Sequence, residues 1–537
     1  DNVVVTPLQV GAPTPAAPAS AAAAPYGPAV AARFAEPSTQ YSTPGLAPER
    51  RGFTTNSELG QWLHNIANAA PRGPTQASVL QLGASQQGEP ILGLLLTRAK
   101  GMDMASLEAN GRSTVVLIGQ QHGDEPAGSE ALLVVARELA QGLLEPLLDR
   151  INVVVIPRAN PDGATNGNRT TANGVDMNRD HLLLNTPEAR ALARVVRDYR
   201  PILVLDAHEF TVAGRYLQKF NAIQRYDALL QYTTTANYHE FLTKASQEWY
   251  HQPMLGALQS QGMSSEWYYT TSTQPDDKRI SMGGVQPDTG RNVNGLKNAV
   301  SLLVETRGVG LGRLHIQRRV HTQVTTITSA LRSTAERAAD LEQVRSYVAR
   351  DTASKACKGQ VVIEAQATPM QRELTMLDPD TGADRTLKVD WNSSLALRPV
   401  KSRPRPCGYW LAAHATAAVE RLQMLGVQVL RIAEPGALLA DTYHETARET
   451  TERTDVRGTI AGGSSIIRTQ VTPVRSAIDV PAGSFYVPLN QGLAHLAVAA
   501  LEPDTQSSYF ANRLIDELGS TARVMTVPSL VFEESDE

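Results

Sequence analysis

The chain has 537 residues, of which 42% are hydrophobic and 19% are charged, and its formal net charge is −4. Because single domains usually have about 100–200 residues, this length excludes a small binding module. The balance of 50 Lys and Arg against 54 Asp and Glu offers no basic surface for nucleic acid or an anionic membrane. No stretch approaches the roughly 20 apolar residues of a membrane-spanning helix. We therefore expect neither a nucleic-acid partner nor insertion into a membrane.

Residues 1–50 are rich in Ala and Pro, a composition typical of segments that cannot bury enough apolar surface to fold. We interpret them as a tether. Such tethers often follow a removed export signal, so we expect a secreted or periplasmic protein. Cys357 and Cys407 could then form one disulfide. The alternative is a cytosolic protein with two inert thiols.

From about residue 51, short apolar runs alternate with helical patterns. The runs include 91–96, 114–119, 151–157, 202–207 and 301–306, and helices are predicted over roughly 128–143 and 187–199. Runs that are apolar throughout are typical of strands covered on both faces, and the helices between them are typical of crossover connections. The prediction for 51–350 is a three-layer α/β/α domain with a mixed, mostly parallel sheet.

A long helical pattern, with apolar residues every three or four positions from Ile316 to Val348, is predicted to close this domain. After it the sequence changes to short strands with a strand, helix and strand unit between them. Residues 351–537 are therefore predicted to form a smaller, mixed α+β accessory domain.

Three residues with metal-binding side chains follow two of the apolar strands. His122 and Glu125 lie three residues apart where the strand TVVLIG runs into a helix, and His208 ends the strand of PILVLDAHEF. Neighbouring parallel strands bring such residues to one sheet edge. Two His and one Glu form a known catalytic zinc set that leaves the fourth position open. Either motif alone also occurs at ordinary solvated turns.

Glu305 ends the apolar strand SLLVETRG, where a carboxylate is costly unless it is used or paired. It is the candidate general base, and the alternative is a structural pair with Arg307. The segment 160–181, rich in Asn, Gly and Asp, is predicted to be an irregular loop near the same edge. Its Arg and Asn side chains suit a carboxylate ligand.

Five motifs in this order, HGDEPAG, NPDG, GVDMNRD, LDAHEF and LLVETRG, resemble those of the zinc carboxypeptidases related to pancreatic carboxypeptidases A and B. The resemblance covers about residues 55–345. It implies the fold of that family, one zinc ion per chain and a peptide substrate with a free C-terminal carboxylate. It also implies hydrolysis of the C-terminal peptide bond.

Carried over residue by residue, the resemblance implies a role for each motif residue. The zinc ligands are His122, Glu125 and His208, the general base is Glu305, and Asp176 orients His122. Asn178 and Arg179 grip the terminal carboxylate. Arg169 is the candidate for the arginine that stabilises the oxyanion, with Arg158 as the second choice. The tyrosine that closes over the substrate is not placed, and Tyr268 and Tyr269 are candidates.

Arg291 falls where the family lines its specificity pocket, and a cation there would favour an acidic C-terminal residue. The alternative is a solvent-exposed arginine at a helix start. Two other functions remain open for the whole chain. One is a zinc amidase or endopeptidase acting on cell-wall peptides or acylated amino acids, and the other is an inactive peptide-binding module.

Overall fold

The computed structural model describes residues 24–69 and 73–534. The predicted tether lies partly outside these ranges, since residues 1–23 are not described. For residues 24–50 the prediction is wrong, because Val30, Phe34 and Leu46 are buried in the folded protein. Phe34 lies under the guanidinium of Arg307, whose Cζ is 3.6 Å from the ring centroid. A few large apolar side chains among Ala and Pro are thus enough to dock this segment.

Thirteen α-helices lie in the described residues. They are α1 (Pro28–Ala31), α2 (Asn56–Ala69), α3 (Met104–Asn110), α4 (Ala127–Gln141), α5 (Pro161–Asn166), α6 (Pro187–Tyr199), α7 (Gly214–Phe220), α8 (Glu240–Ala245), α9 (Gln252–Ser260), α10 (Gly290–Gly295), α11 (Ile316–Ser354), α12 (Thr416–Leu425) and α13 (Ala494–Leu501).

The same ranges contain twenty strands. They are β1 (Gln76–Ala84), β2 (Pro90–Thr97), β3 (Ser113–Gly119), β4 (Ile151–Ile156), β5 (Leu203–Thr211), β6 (Ala228–Tyr232), β7 (Ser265–Trp267), β8 (Tyr269–Thr271), β9 (Ile280–Met282), β10 (Val300–Val309), β11 (Gln360–Leu377), β12 (Asp384–Pro404), β13 (Gly408–Leu411), β14 (Leu430–Arg431), β15 (Gly436–Thr451), β16 (Thr454–Asp455), β17 (Gly458–Thr459), β18 (Ile466–Val480), β19 (Phe485–Pro488) and β20 (Thr521–Val524).

The central sheet has eight strands in the order β1-β2-β4-β3-β5-β10-β6-β7. The pairs β4–β3, β3–β5, β5–β10 and β6–β7 are parallel, and the other three pairs are antiparallel. The predicted mixed, mostly parallel sheet is therefore confirmed. Strands β6 and β7, at one edge of this sheet, were not predicted from the sequence.

Successive residues of the inner strands point into two different cores. Val115 and Leu117 of β3 pack with α2, α4 and α11, whereas Val116 and Ile118 pack with α3 and α6. This alternation is the expected result of a strand covered on both faces. The three-layer α/β/α architecture is thereby confirmed.

Helix α11 runs over 39 residues, and its apolar side packs in the same core as α4. The long helical pattern predicted from residue 316 is confirmed, and the helix continues six residues beyond Val348. In the described part of the chain, no helix combines the length and the apolar character needed to cross a membrane.

The C-terminal region is rich in strands, as expected. It contains a six-stranded sheet in the order β14-β19-β13-β20-β15-β18 and a disulfide between Cys357 and Cys407. The long hairpin β11–β12 joins β9 and β8 in a second sheet, because Trp391 of β12 pairs with Ile280 of β9. This sheet crosses the predicted boundary at residue 350, so the limits 51–350 and 351–537 stay a prediction.

Candidate metal and substrate site

Three neighbouring strands deliver the predicted metal and base residues to one sheet edge. His208 and Glu305 are direct partners in the parallel pair β5–β10. Gly119, the last residue of β3, pairs with Ala207 on the other side of β5, and His122 follows three residues later. Parallel strands with apolar interiors therefore place these polar side chains together at their carboxyl ends.

His122, Glu125 and His208 form a cluster whose potential ligand atoms all lie within 4.8 Å of one another. The Nδ1 atoms of the two imidazoles are 3.3 Å apart. Nδ1 of His122 is 2.7 Å from Glu125 Oε2, and Nδ1 of His208 is 3.1 Å from Glu125 Oε1. All three side chains are buried. The cluster thus points two imidazole nitrogens and a carboxylate at one place.

Both histidines have a carboxylate at the opposite ring nitrogen. Nε2 of His122 donates to Asp176 Oδ1 at 2.8 Å, and Nε2 of His208 lies 2.9 Å from Asp206 Oδ2. A proton held on Nε2 leaves the lone pair of Nδ1 free. Two such nitrogens and a carboxylate are a donor set that suits Zn²⁺. The residues present therefore fit a zinc ion.

Asp206, the carboxylate at Nε2 of His208, was not predicted from the sequence. It lies two residues before His208 on β5, so both side chains are on the same face of the strand. Its Oδ2 accepts from Gln121 Nε2 at 2.6 Å, and Gln121 Oε1 lies 2.7 Å from His181 Nε2. Burial lowers the pKa of His181 to about 4, so this imidazole is neutral. The signal available in the sequence was the aspartate in LDAHEF.

The loop between β4 and α6 is fixed by two capping side chains. Asn160 of the NPDG motif accepts from Gly163 N and so begins α5. A Cβ at Gly123 would lie 2.0 Å from the carbonyl carbon of Gly163, so the HGDE turn needs glycine there. Asp176 accepts from Asn178 N at 3.0 Å and thereby orients the 3₁₀ turn that carries Asn178 and Arg179.

A cavity of about 330 Å³ opens beside the cluster. Its walls include the predicted metal residues and the predicted base and substrate residues Arg169, Asn178, Arg179, Arg291 and Glu305. Asp176 lies behind His122 instead. Burial raises the pKa of Glu305 to about 7. The structure therefore brings the predicted metal, base and substrate residues to one cavity, and Asp176 contacts His122 from outside its wall.

The alternative partner of Glu305 is engaged elsewhere. The Arg307 guanidinium donates to the carbonyl oxygens of Gln224 and Tyr226. Within the described residues, no hydrogen bond or ion pair joins Arg307 to Glu305. The interpretation of Glu305 as one half of a structural ion pair with Arg307 is therefore wrong.

The two candidates for the oxyanion arginine lie in different surroundings. Arg169 lines the cavity, and its Nη2 is 3.0 Å from Asp176 Oδ2. Arg158 is buried away from the cavity, where it donates to Thr54 O at 2.7 Å and to Gln120 Oε1 at 2.7 Å. The second choice, Arg158, is therefore excluded by its position.

Arg291 is the second residue of α10, but it is only 3% exposed. Its guanidinium donates to the carbonyl oxygens of Tyr232 at 3.0 Å and Gly284 at 2.8 Å, and to the hydroxyl of Thr234. These acceptors are neutral, and burial lowers the pKa of Arg291 to about 10. The interpretation as a solvent-exposed helix-start arginine is therefore wrong.

The two tyrosine candidates differ in the freedom of their hydroxyl groups. Both line the cavity, but Tyr269 is 1% exposed and its hydroxyl donates to Gln224 Oε1. Tyr268 is partly exposed, and burial raises its pKa to about 12. Of these two candidates, only Tyr268 combines a place in the cavity wall with partial exposure.

Comparison with known proteins gives a consistent result. Residues 60–279 match the zinc carboxypeptidase family. The chain is 26% identical over 482 residues to carboxypeptidase 2 of Trichophyton equinum, covering 88% of this chain and 87% of that protein. It is 27% identical over 399 residues to carboxypeptidase 2 of Trichophyton rubrum, covering 74% and 72% of the two chains.

Solved structures give a more distant likeness. Carboxypeptidase A of Helicoverpa armigera is 14% identical, with a TM-score of 0.40 over 62% of this chain and 81% of that one. The similarity to the zinc carboxypeptidase family rests on the sequence matches and not on this structural likeness. The family match contains the metal cluster and ends before Arg291 and Glu305.

Proposed function

This chain contains a zinc carboxypeptidase domain and is a zinc metallopeptidase, and from that premise we propose that it removes residues from the free C-terminus of peptides, with Glu305 as general base. The observation that carries the proposal is the convergence of the His122, Glu125 and His208 cluster with Glu305 in one cavity. Retention of a buried carboxylate beside the metal cluster argues against an inactive binding module.

We assign the metal to Nδ1 of His122, Nδ1 of His208 and the carboxylate of Glu125. A zinc ion held by these residues would act as a Lewis acid, lowering the pKa of a water molecule and polarising the scissile carbonyl. Asp176 and Asp206 hold the two imidazoles in the orientation that this binding needs.

The protein side chains then carry the proton and the developing charge. The Glu305 carboxylate takes the proton of the attacking water and returns it to the leaving amine. The guanidinium of Arg169 stabilises negative charge on the carbonyl oxygen. Loss of one such donor typically costs about 2.7–4 kcal/mol of transition-state stabilisation.

Asn178 and Arg179 are proposed to bind the terminal carboxylate of the peptide. Both lie on the turn capped by Asp176, and both line the cavity. Arginine donates strong, charge-assisted hydrogen bonds to a carboxylate. This anchoring places the last peptide bond at the cluster and makes the enzyme an exopeptidase.

Digestion of a peptide mixture followed by mass spectrometry tests this function. We expect products shortened one residue at a time from the C-terminus, and no cleavage of peptides whose C-terminus is amidated. Internal cleavage products would contradict the proposal and favour an endopeptidase or amidase. The same data report which C-terminal residues are preferred.

Arg291 is proposed to bind an acidic side chain of the C-terminal residue. Because its guanidinium is buried among neutral acceptors, a substrate carboxylate would supply the missing negative charge. We expect Arg291→Gln to lower the ratio of kcat/KM for peptides ending in Glu over those ending in Gln by about tenfold or more. An unchanged ratio would remove Arg291 from the specificity pocket.

We also infer that the protein works in an oxidising compartment, secreted or periplasmic. The disulfide between Cys357 and Cys407 supports this, since disulfides are rare in cytosolic proteins. Titration of free thiols in protein taken directly from its source checks the inference, and two reactive thiols per unfolded chain would contradict it.

A further inference from the structure

The short hairpin β16–β17 from the C-terminal region reaches the active-site loop of the N-terminal part of the chain. Arg453 Nη2, just before the hairpin, donates to the carbonyl oxygen of Arg179 at 2.8 Å. Asp176 N donates to Ala461 O at 3.3 Å, and Thr273 N donates to Arg457 O at 3.0 Å. The hairpin is therefore held in place from both sides of the cavity.

Asp455 joins the hairpin to Arg179 directly. Its Oδ2 accepts from Arg179 Nε at 2.8 Å, and its Oδ1 accepts from the backbone N–H groups of Arg457 and Gly458. The carboxylate of Asp455 thus stabilises the hairpin turn and also holds the Nε atom of Arg179. Nη1 of Arg179 donates to Asn178 O at 2.9 Å. Among the described residues Nη2 has no hydrogen-bond partner, so it is the nitrogen that can bind a substrate carboxylate.

This arrangement puts Val456 and Arg457 into the wall of the cavity. Five arginines line that cavity, and two of them have carboxylate partners: Arg169 pairs with Asp176, and Arg179 pairs with Asp455. In the ranges that the structure covers, Arg215, Arg291 and Arg457 take part in no ion pair. The same wall also carries the carboxylates of Asp124, Glu125, Glu209 and Glu305, but among the described residues none of them forms an ion pair with these three arginines. The three arginines are therefore able to bind a further carboxylate.

Arg215, the second residue of α7, lines the same cavity as Arg457. Its Nη1 donates to Thr271 O at 2.9 Å, and burial together with the nearby Arg457 lowers its pKa. Two like charges at the wall of a partly enclosed cavity repel each other. An anion bound between them would relieve that repulsion.

We propose that Arg457, contributed by the C-terminal hairpin, is a specificity-determining residue that binds the carboxylate of an acidic side chain in the peptide substrate. The inference rests on the proposed function, since it takes the cavity to be the peptide site. It gives the C-terminal region a part in choosing the substrate. The acidic side chain belongs either to the last residue of the peptide or to the residue before it.

Binding measurements on a protein with strongly reduced turnover can test this role. Zinc-loaded Glu305→Gln protein is titrated calorimetrically with four peptides that differ only by Glu or Gln at the last or the penultimate position. The same titrations are made with Arg457→Gln added. Arg448→Gln is the matched control, because Arg448 lies on β15, outside the cavity, and pairs with Glu445.

We expect tighter binding of the Glu peptide at one of the two positions. Arg457→Gln should reduce that Glu-over-Gln preference about fivefold or more, because it removes a hydrogen bond between charged groups at a partly exposed site. Arg448→Gln should leave the preference unchanged, and Arg457→Lys should retain part of it. The position that responds identifies the acidic residue that Arg457 binds.

The proposal is overturned if Arg457→Gln leaves the Glu-over-Gln preference unchanged at both positions while the protein keeps its Tm. Failure of the proposed function has a different signature. The native protein could bind these peptides in a way that depends on Arg457 and yet release no C-terminal residue. That result would contradict the carboxypeptidase activity but would support the binding role of Arg457.

Discussion

Replacing Glu305 with glutamine is expected to lower kcat on peptide substrates by about 100-fold to 10,000-fold, the range that a positioned general base contributes. The amide keeps the size of the side chain but cannot take a proton from water. Glu305 is not one of the three residues of the metal cluster, so the zinc content should stay at one per chain. Loss of turnover with retained metal distinguishes a base from a ligand.

Steady-state kinetics together with metal analysis by mass spectrometry would check this prediction. Glu305→Asp is the matched variant, because it keeps a carboxylate but withdraws it by one methylene, and we expect it to recover part of the lost activity. Near-normal turnover of the Glu305→Gln protein would show that the base lies elsewhere. Loss of zinc from the Glu305→Gln protein would show that Glu305 is a metal ligand and not the base.

The residues at the ends of the apolar strands could be predicted from the sequence, and the reason is physical. His122, His208 and Glu305 each follow or end a run that must lie inside a sheet, so their position along the chain fixes their position at the sheet edge. A polar group there is costly to bury unless it is used. Strand position therefore predicted the metal and base residues, whereas the roles of the residues in the 160–181 loop were implied only by the family resemblance.

The residues contributed by the C-terminal hairpin could not be predicted in this way. Asp455 and Arg457 stand in a short polar turn, and Asp455 lies 276 residues from its partner Arg179. Neither has an apolar run beside it that would fix its place in the fold. Contacts of this kind depend on how two regions pack, which periodicity and composition do not specify.

The N-terminal segment shows a related limit of composition. Its many Ala and Pro residues favoured a tether, but Val30 and Phe34 are buried in a core that also contains Leu374 and Trp391 of the β11–β12 hairpin. Leu374 and Trp391 lie more than 300 residues further along the chain. Average composition does not reveal that such a surface exists.

Replacing His208 with alanine is expected to abolish zinc binding and activity together. Catalytic zinc sites use three protein ligands, and the variant would keep only His122 and Glu125. Zinc added to the metal-free native protein should raise its Tm. A ligand that binds only the folded state stabilises it by about 2.7 kcal/mol at 100 times its Kd. No such shift is expected for His208→Ala.

Asp176→Asn provides the graded comparison, since it keeps all three ligands and removes only the carboxylate at Nε2 of His122. Changes of this kind typically weaken metal binding by about 10-fold to 100-fold. Zinc per chain, measured during competition with a chelator, should therefore rank the native protein first, Asp176→Asn second and His208→Ala last. Activity alone is not diagnostic for Asp176, because the same carboxylate also pairs with Arg169 and caps the turn that carries Asn178.

One result would contradict this metal assignment. If His208→Ala held one zinc as tightly as the native protein, the metal would have to lie outside the cluster. Glu305 would then no longer be next to the metal, and its assignment as the general base would be wrong.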